Sequence, residues 1–144
     1  MARISLTGFD DLERMLEKMT KPEKMAIKAV DAAAPVLEKS LKREVDAATT
    51  RRDKNGKPYS TGELSKSIGR TKAKENEMGV FAAVLPMGTD SRGMRNAEKL
   101  AYLEYGVKSH GQEPRPVRQK AVNSAKDECI KVMEEVISSE VDKL

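Results

Sequence analysis

Two stretches of this chain keep an apolar residue at helical spacing for roughly seven turns each, and any fold must find a partner for both stripes. The first runs from Pro22 to about Ala48 through Met25, Ala26, Ala29, Val30, Ala33, Val36, Leu37, Leu41 and Val45. The second runs from Pro116 to about Asp142 through Val117, Ala121, Val122, Ala125, Cys129, Val132, Met133, Val136, Ile137 and Val141. At the usual rise each helix would be on the order of 40 Å long, a large dimension for a chain of 144 residues. Proline opens both, as suits a first helical turn, and Pro35 inside the first predicts a kink, because the periodicity resumes at Leu41 and Val45. The alanines at 26, 29, 32, 33 and 34 allow another backbone to come close.

Between these helices the periodicity changes. Thr49 to Thr61 carries Arg51, Arg52, Lys54 and Lys57 with no apolar rhythm and reads as a mobile basic loop at 49–61, or as a small hairpin turned by Asn55-Gly56. Thr61 to Ile68 predicts one or two helical turns capped by Thr61 and stapled by Leu64 and Ile68, released by Gly69. Arg70–Lys74 and Met78–Leu85 read as two strands of an antiparallel hairpin turning across Glu75, Asn76 and Glu77. After a loop over 87–96, Leu100 and Leu103, with Tyr102 beside them, form a short helix that ends at Gly106, and Tyr102 and Tyr105 are expected to anchor the following corner in the core. Ahead of the first long helix, Ile4–Leu6 could be extended, and Leu12, Met15, Leu16 and Met19 fall on one helical face capped by Asp10 or Asp11. The expected fold is a single α+β domain over 1–144, with two long amphipathic helices and short helices on a small antiparallel sheet.

Charge sharpens the functional reading. The net charge is only +4, but between Thr50 and Glu75 eight basic residues face three acidic ones, whereas from Asp127 onward six acids face two lysines. Such a chain is a weak dipole suited to head-to-tail contact between copies. Charged residues make up 35% and aromatic residues 3%, which leaves a thin core and much surface for solvent or subunits. Cys129 has no second cysteine to pair with and reads as a small core residue of a reduced protein. No stretch resembles a signal peptide or reaches the ~20 apolar residues of a membrane span, so a soluble intracellular product is expected, with no membrane partner.

Chemistry is hard to place. There is no phosphate-binding loop, nucleophile elbow or paired Cys and His at metal spacing, and His110 stands alone. An enzyme is not expected, nor a metal or cofactor.

The order of pieces resembles a family. Phe9, Asp10 and Leu12; Thr61, Gly62, Leu64, Ser67 and Ile68; Tyr102, Leu103, Glu104, Tyr105 and Gly106; and Pro114, Arg115, Pro116, Val117 and Ala121 follow one another as in the small neck or tail-completion proteins, the minor tail components of the head-tail joining region of long-tailed double-stranded DNA phages and prophages. Val117 stands where that family commonly has an aromatic, and the 55–59 loop is longer than its usual link. The resemblance implies a non-catalytic structural protein of virion assembly. It would form a homo-oligomeric ring, often a hexamer, that meets other head-tail connector and tail proteins and lets the genome DNA pass. It also implies assembly in the bacterial host cytoplasm and a place in the virion. Arg51, Arg52, Lys54 and Lys57 are then candidates for an assembly or DNA-contact loop, and Arg115 and Arg118 for subunit contacts. The alternative is a small basic nucleic-acid-binding protein that uses the 51–57 loop on phosphates.

Overall fold

The computed structural model describes residues 21–52, 54–58 and 60–143; the expected strand at 4–6 and the helix through Leu12 and Met19 lie outside them. Helix α1 (Pro22–Ala48) and helix α4 (Val117–Asp142) run antiparallel along one another. Three contacts fix their register. The Ser40 hydroxyl donates to the Ala121 carbonyl at 2.9 Å, Cys129 Sγ lies 3.7 Å from the Ala33 carbonyl, and Lys28 Nζ reaches Glu140 at 2.8 Å. Buried alanines at 29, 33, 34, 121 and 125 line the seam, so the two backbones approach closely. Helix α1 opens with Pro22 at its first position and continues unbroken through Pro35, as the resumed periodicity requires.

The remaining elements gather on the second half of α1. Helix α2 (Glu63–Ser67), strands β1 (Ile68–Arg70), β2 (Lys74–Asn76), β3 (Gly79–Phe81) and β4 (Val84–Pro86), and helix α3 (Asn96–Tyr105) follow in order. Leu41, Val45, Leu64, Ile68, Leu100, Leu103, Val117 and Ala121 make one buried cluster that joins α1, α2, β1, α3 and α4. The α+β class read from the sequence is what forms: two long helices beside a small antiparallel sheet region.

The hairpin differs in detail from its expected form. β1 begins at Ile68, two residues earlier, and the tip is Glu77-Met78, where Met78 is 96% exposed. Arg70 pairs with Val84 and Lys74 with Phe81, so three residues (71–73) face two (82–83) and the ladder carries a bulge. Thr71 bridges the break: its N–H donates to the Ala83 carbonyl, and its hydroxyl accepts from the Ala83 N–H, both at 2.9 Å. Asp31 on α1 takes the N–H of Ala73 at 2.6 Å. A regular ladder would need those groups for itself; the bulge frees them to tie the sheet to α1.

Two expectations about helix ends are also corrected. The cap of α2 is Gly62 in the left-handed region (φ +77), while the Thr61 hydroxyl bonds the Glu63 carboxylate at 2.9 Å. Tyr102 and Tyr105 are 44% and 71% exposed, not core anchors. Leu100 and Leu103, three apart, define the buried face of α3, and at 100° per residue the tyrosines fall on the other side.

Candidate functional site

The site forms where the C-terminal end of α1, the 49–60 loop and the corner between α3 and α4 meet. The last turn of a helix leaves carbonyls without intrahelical partners. Here side chains and loops take them: Thr50 Oγ1 donates to the Ala47 carbonyl at 3.2 Å, Thr49 Oγ1 to Val45 at 2.8 Å, and the Arg115 guanidinium to Ala48.

Glycine makes the corner possible. Gly106 ends α3 with φ +74, and a Cβ there would lie 2.6 Å from the Gln112 carbonyl oxygen and 2.9 Å from Pro114 N. A single 3-10 turn (Lys108–His110) follows, closed by an antiparallel bridge between Val107 and Gln112. Arg115 N then donates to the Leu103 carbonyl at 2.7 Å, and Arg118 N to the Glu104 carboxylate at 2.9 Å. The Arg118 guanidinium sits 5.4 Å from the centre of the Tyr105 ring, a cation-π arrangement at the surface.

The loop across from the corner closes on itself. Arg52 and Pro58 form a bridge, Gly56 turns at φ +80, and Arg52 Nη1 donates to the Gly56 carbonyl at 2.9 Å. The Asn55-Gly56 turn expected from the sequence is present between Arg52 and Pro58.

A cleft of about 980 Å³ lies between loop and corner, lined by Ala48, Thr49, Arg51, Arg52, Ser60, Leu103, His110, Gly111, Gln112, Glu113, Pro114 and Arg115. It continues past Arg51 and Arg115 to Glu44, Thr50, Val117 and Lys120. Three arginines against Glu113 give the cleft a positive balance. Arg51 has no hydrogen-bond or ion-pair partner among the described residues.

The sequence candidates thus divide. Arg51, Arg52 and Arg115 come together on the cleft, although Arg115 spends its guanidinium on Ala48 inside the chain. Lys54 and Lys57 lie on the exposed turn beyond the cleft wall, and Arg118 lies on α4 beside Glu104 and Tyr105. Sequence reasoning missed His110 and Gln112 as cleft residues; nothing in their local spacing marks them, because the turn at Gly106 and Gly111 brings them there.

At the far end of α4, Glu134, Glu135 and Asp142 are exposed, with Lys131 and Lys143 flanking them. No basic residue stands in the last turn of α4. Glu140 is held between Lys28 and Lys143, and their hydrogen bonds lower its pKa.

Three other acids are tied into the frame. Lys42, at 2.8 Å, and Arg70, at 2.5 Å, lower the pKa of Glu38 and link α1 to β1. The hydroxyls of Thr61 and Ser91 do the same for Glu63, and Lys99 for Asp90, whose carboxylate also takes the N–H groups of Arg92 and Met94. Burial, with Glu128 alongside, pushes the Cys129 thiol up, the opposite of an activated nucleophile.

Among the described residues no three His, Cys, Asp or Glu side chains are grouped to hold a metal ion, and no helix is long and apolar enough to cross a membrane. No known protein family, curated protein or solved structure matches this chain.

Proposed function

We propose that this chain is a structural subunit of the head-tail joining region of a long-tailed phage or prophage, a neck or tail-completion protein that works by assembling into a ring. The reading starts from the ordered motif resemblance. The observation that supports it most is the outer side of α4, where Val122, Ile130, Ile137 and Val141 are each more than a third exposed. Ile130, Ile137 and Val141 fall within about 40° of one another around the helix. Apolar rows left in water mark surfaces that associate with another chain.

Sedimentation velocity across concentration, with negative-stain imaging alone and with the neighbouring gene products, tests the proposal. Rings or concentration-dependent association are expected. A monomer at every concentration that fails to join connector or tail preparations overturns it.

A second reading is favoured by Arg51, Arg52, Lys54 and Lys57 standing on one compact turn: contact with nucleic-acid phosphates. It predicts duplex DNA binding by the monomer that weakens steeply with salt, since each neutralised phosphate releases counterions.

A further inference from the structure

We propose that the cleft walled by Arg51, Arg52 and Arg115 receives the acidic last turns of helix α4 from a second copy of this chain, so that copies join head to tail. The proposal rests on the assembly reading above and names the contact that would carry it.

Charge on the two surfaces is complementary. The cleft holds three arginines against one glutamate, and the end of α4 presents Glu134, Glu135 and Asp142 in the open against Lys131 and Lys143. Arg51 is the natural receptor group, being exposed and without a partner among the described residues. Arginine also suits the task, because its planar fork matches a carboxylate in a paired hydrogen-bond geometry.

Helix electrostatics point the same way. The C-terminal end of a helix carries partial negative charge and favours cations, yet within the last turn of α4 there is none, and the Lys143 that caps it is engaged with Glu140. A basic surface brought from outside would add cations for Glu134, Glu135 and Asp142, which Lys143 and Lys28 do not pair. At the opposite end of the molecule, the carbonyls that close α1 are already taken by Thr49, Thr50 and Arg115, which leaves Arg51 exposed without a helix end to neutralise, while Arg52 holds Gly56.

Distance excludes self-satisfaction. The cleft sits at the start of α4, and Glu134, Glu135 and Asp142 lie 17, 18 and 25 residues beyond Val117. At 1.5 Å per residue that is about 26 to 38 Å of rigid helix, far beyond the reach of any side chain. Two different patches at opposite ends of one molecule make a heterologous contact, the kind that closes into a ring when the rotation between copies permits.

A charge-swap experiment tests this. One variant carries Arg51→Glu and Arg52→Glu; the other carries Glu134→Lys, Glu135→Lys and Asp142→Lys; Arg115 is left in place because it holds Ala48. All five positions except Asp142 lie outside helix-end caps, and circular dichroism checks that both variants keep their helices. Each variant alone should associate at least about tenfold more weakly than wild type, and wild-type association should weaken with salt. Mixing the two in equal amounts should restore association, since acidic cleft then meets basic helix end and basic cleft meets acidic end. If the wild type assembles and neither variant differs from it, the cleft contact is wrong while the assembly reading stands. If the wild type never associates, alone or with connector preparations, both fall. Loss of duplex DNA binding by Arg51→Glu/Arg52→Glu with self-association intact overturns the contact in favour of phosphate binding.

Discussion

The guanidinium of Arg115 donates to the carbonyl of Ala48, a contact across 67 positions that joins the end of one long helix to the start of the other. Arg115 is therefore a fastener of the fold, and its removal leaves a helix-terminal carbonyl without its charged donor. Arg115→Ala should lower stability by about 1.5 to 3 kcal/mol, the range for hydrogen bonds to charged groups. Arg118→Ala, at an exposed position on the same turn of chain, should change it by less than about 0.5 kcal/mol. Urea midpoints with unchanged slope distinguish the two.

Gly106 combines positive φ with a Cβ direction aimed at backbone, whereas Gly56 has a similar φ and open space around it. Gly106→Ala should cost about 2 to 4 kcal/mol, since it adds a clash with the Gln112 carbonyl to the torsional strain. Gly56→Ala should cost only about 1 to 2 kcal/mol. Thermal melts of the pair measure the difference.

Glu38, Glu63, Asp90 and Glu140 all have lowered pKa values in the folded chain. A carboxylate that is more acidic folded than unfolded adds stability above its ordinary pKa and loses it as pH falls through the folded value. Stability should thus be flat at neutral pH and begin to decline near the ordinary values of 4.5 for Glu and 3.8 for Asp. Urea midpoints followed from neutral to acidic pH check this, and Glu38→Gln should give a shallower acid decline than wild type.

Leu41 is buried in the cluster that joins the helices and β1, and Leu41→Ala should cost about 2 to 5 kcal/mol of folding stability. Ile137→Ser acts elsewhere: on the outer face of α4 it should change folding by less than about 1 kcal/mol while weakening assembly. Chemical denaturation reads the first effect and sedimentation velocity the second.

The long helices were legible because their stripes are continuous and their ends carry proline, and α1 begins and ends where the pattern does. Gly106 was legible as a helix end for a similar local reason. The hairpin was found but its register was not, since a bulge at 71–73 depends on Asp31 of α1 offering an acceptor. Aromatic character is a poor guide to Tyr102 and Tyr105, because helical angle decides their exposure and the spacing of Leu100 and Leu103 points the buried face away from them. The cleft could not be read at all: Arg51 and Arg115 stand 64 positions apart in the sequence, and only the docking of loop against corner makes them neighbours.

The contacts that hold α1 to α4 span 81, 96 and 112 positions. During synthesis α1 therefore emerges long before its partner exists, and at about 5 to 20 residues per second its alanine stripe waits for several seconds in search of one. The rod is the last part of the domain to close. Refolding should accordingly be slow for so helical a protein, governed by loop closure rather than by helix growth.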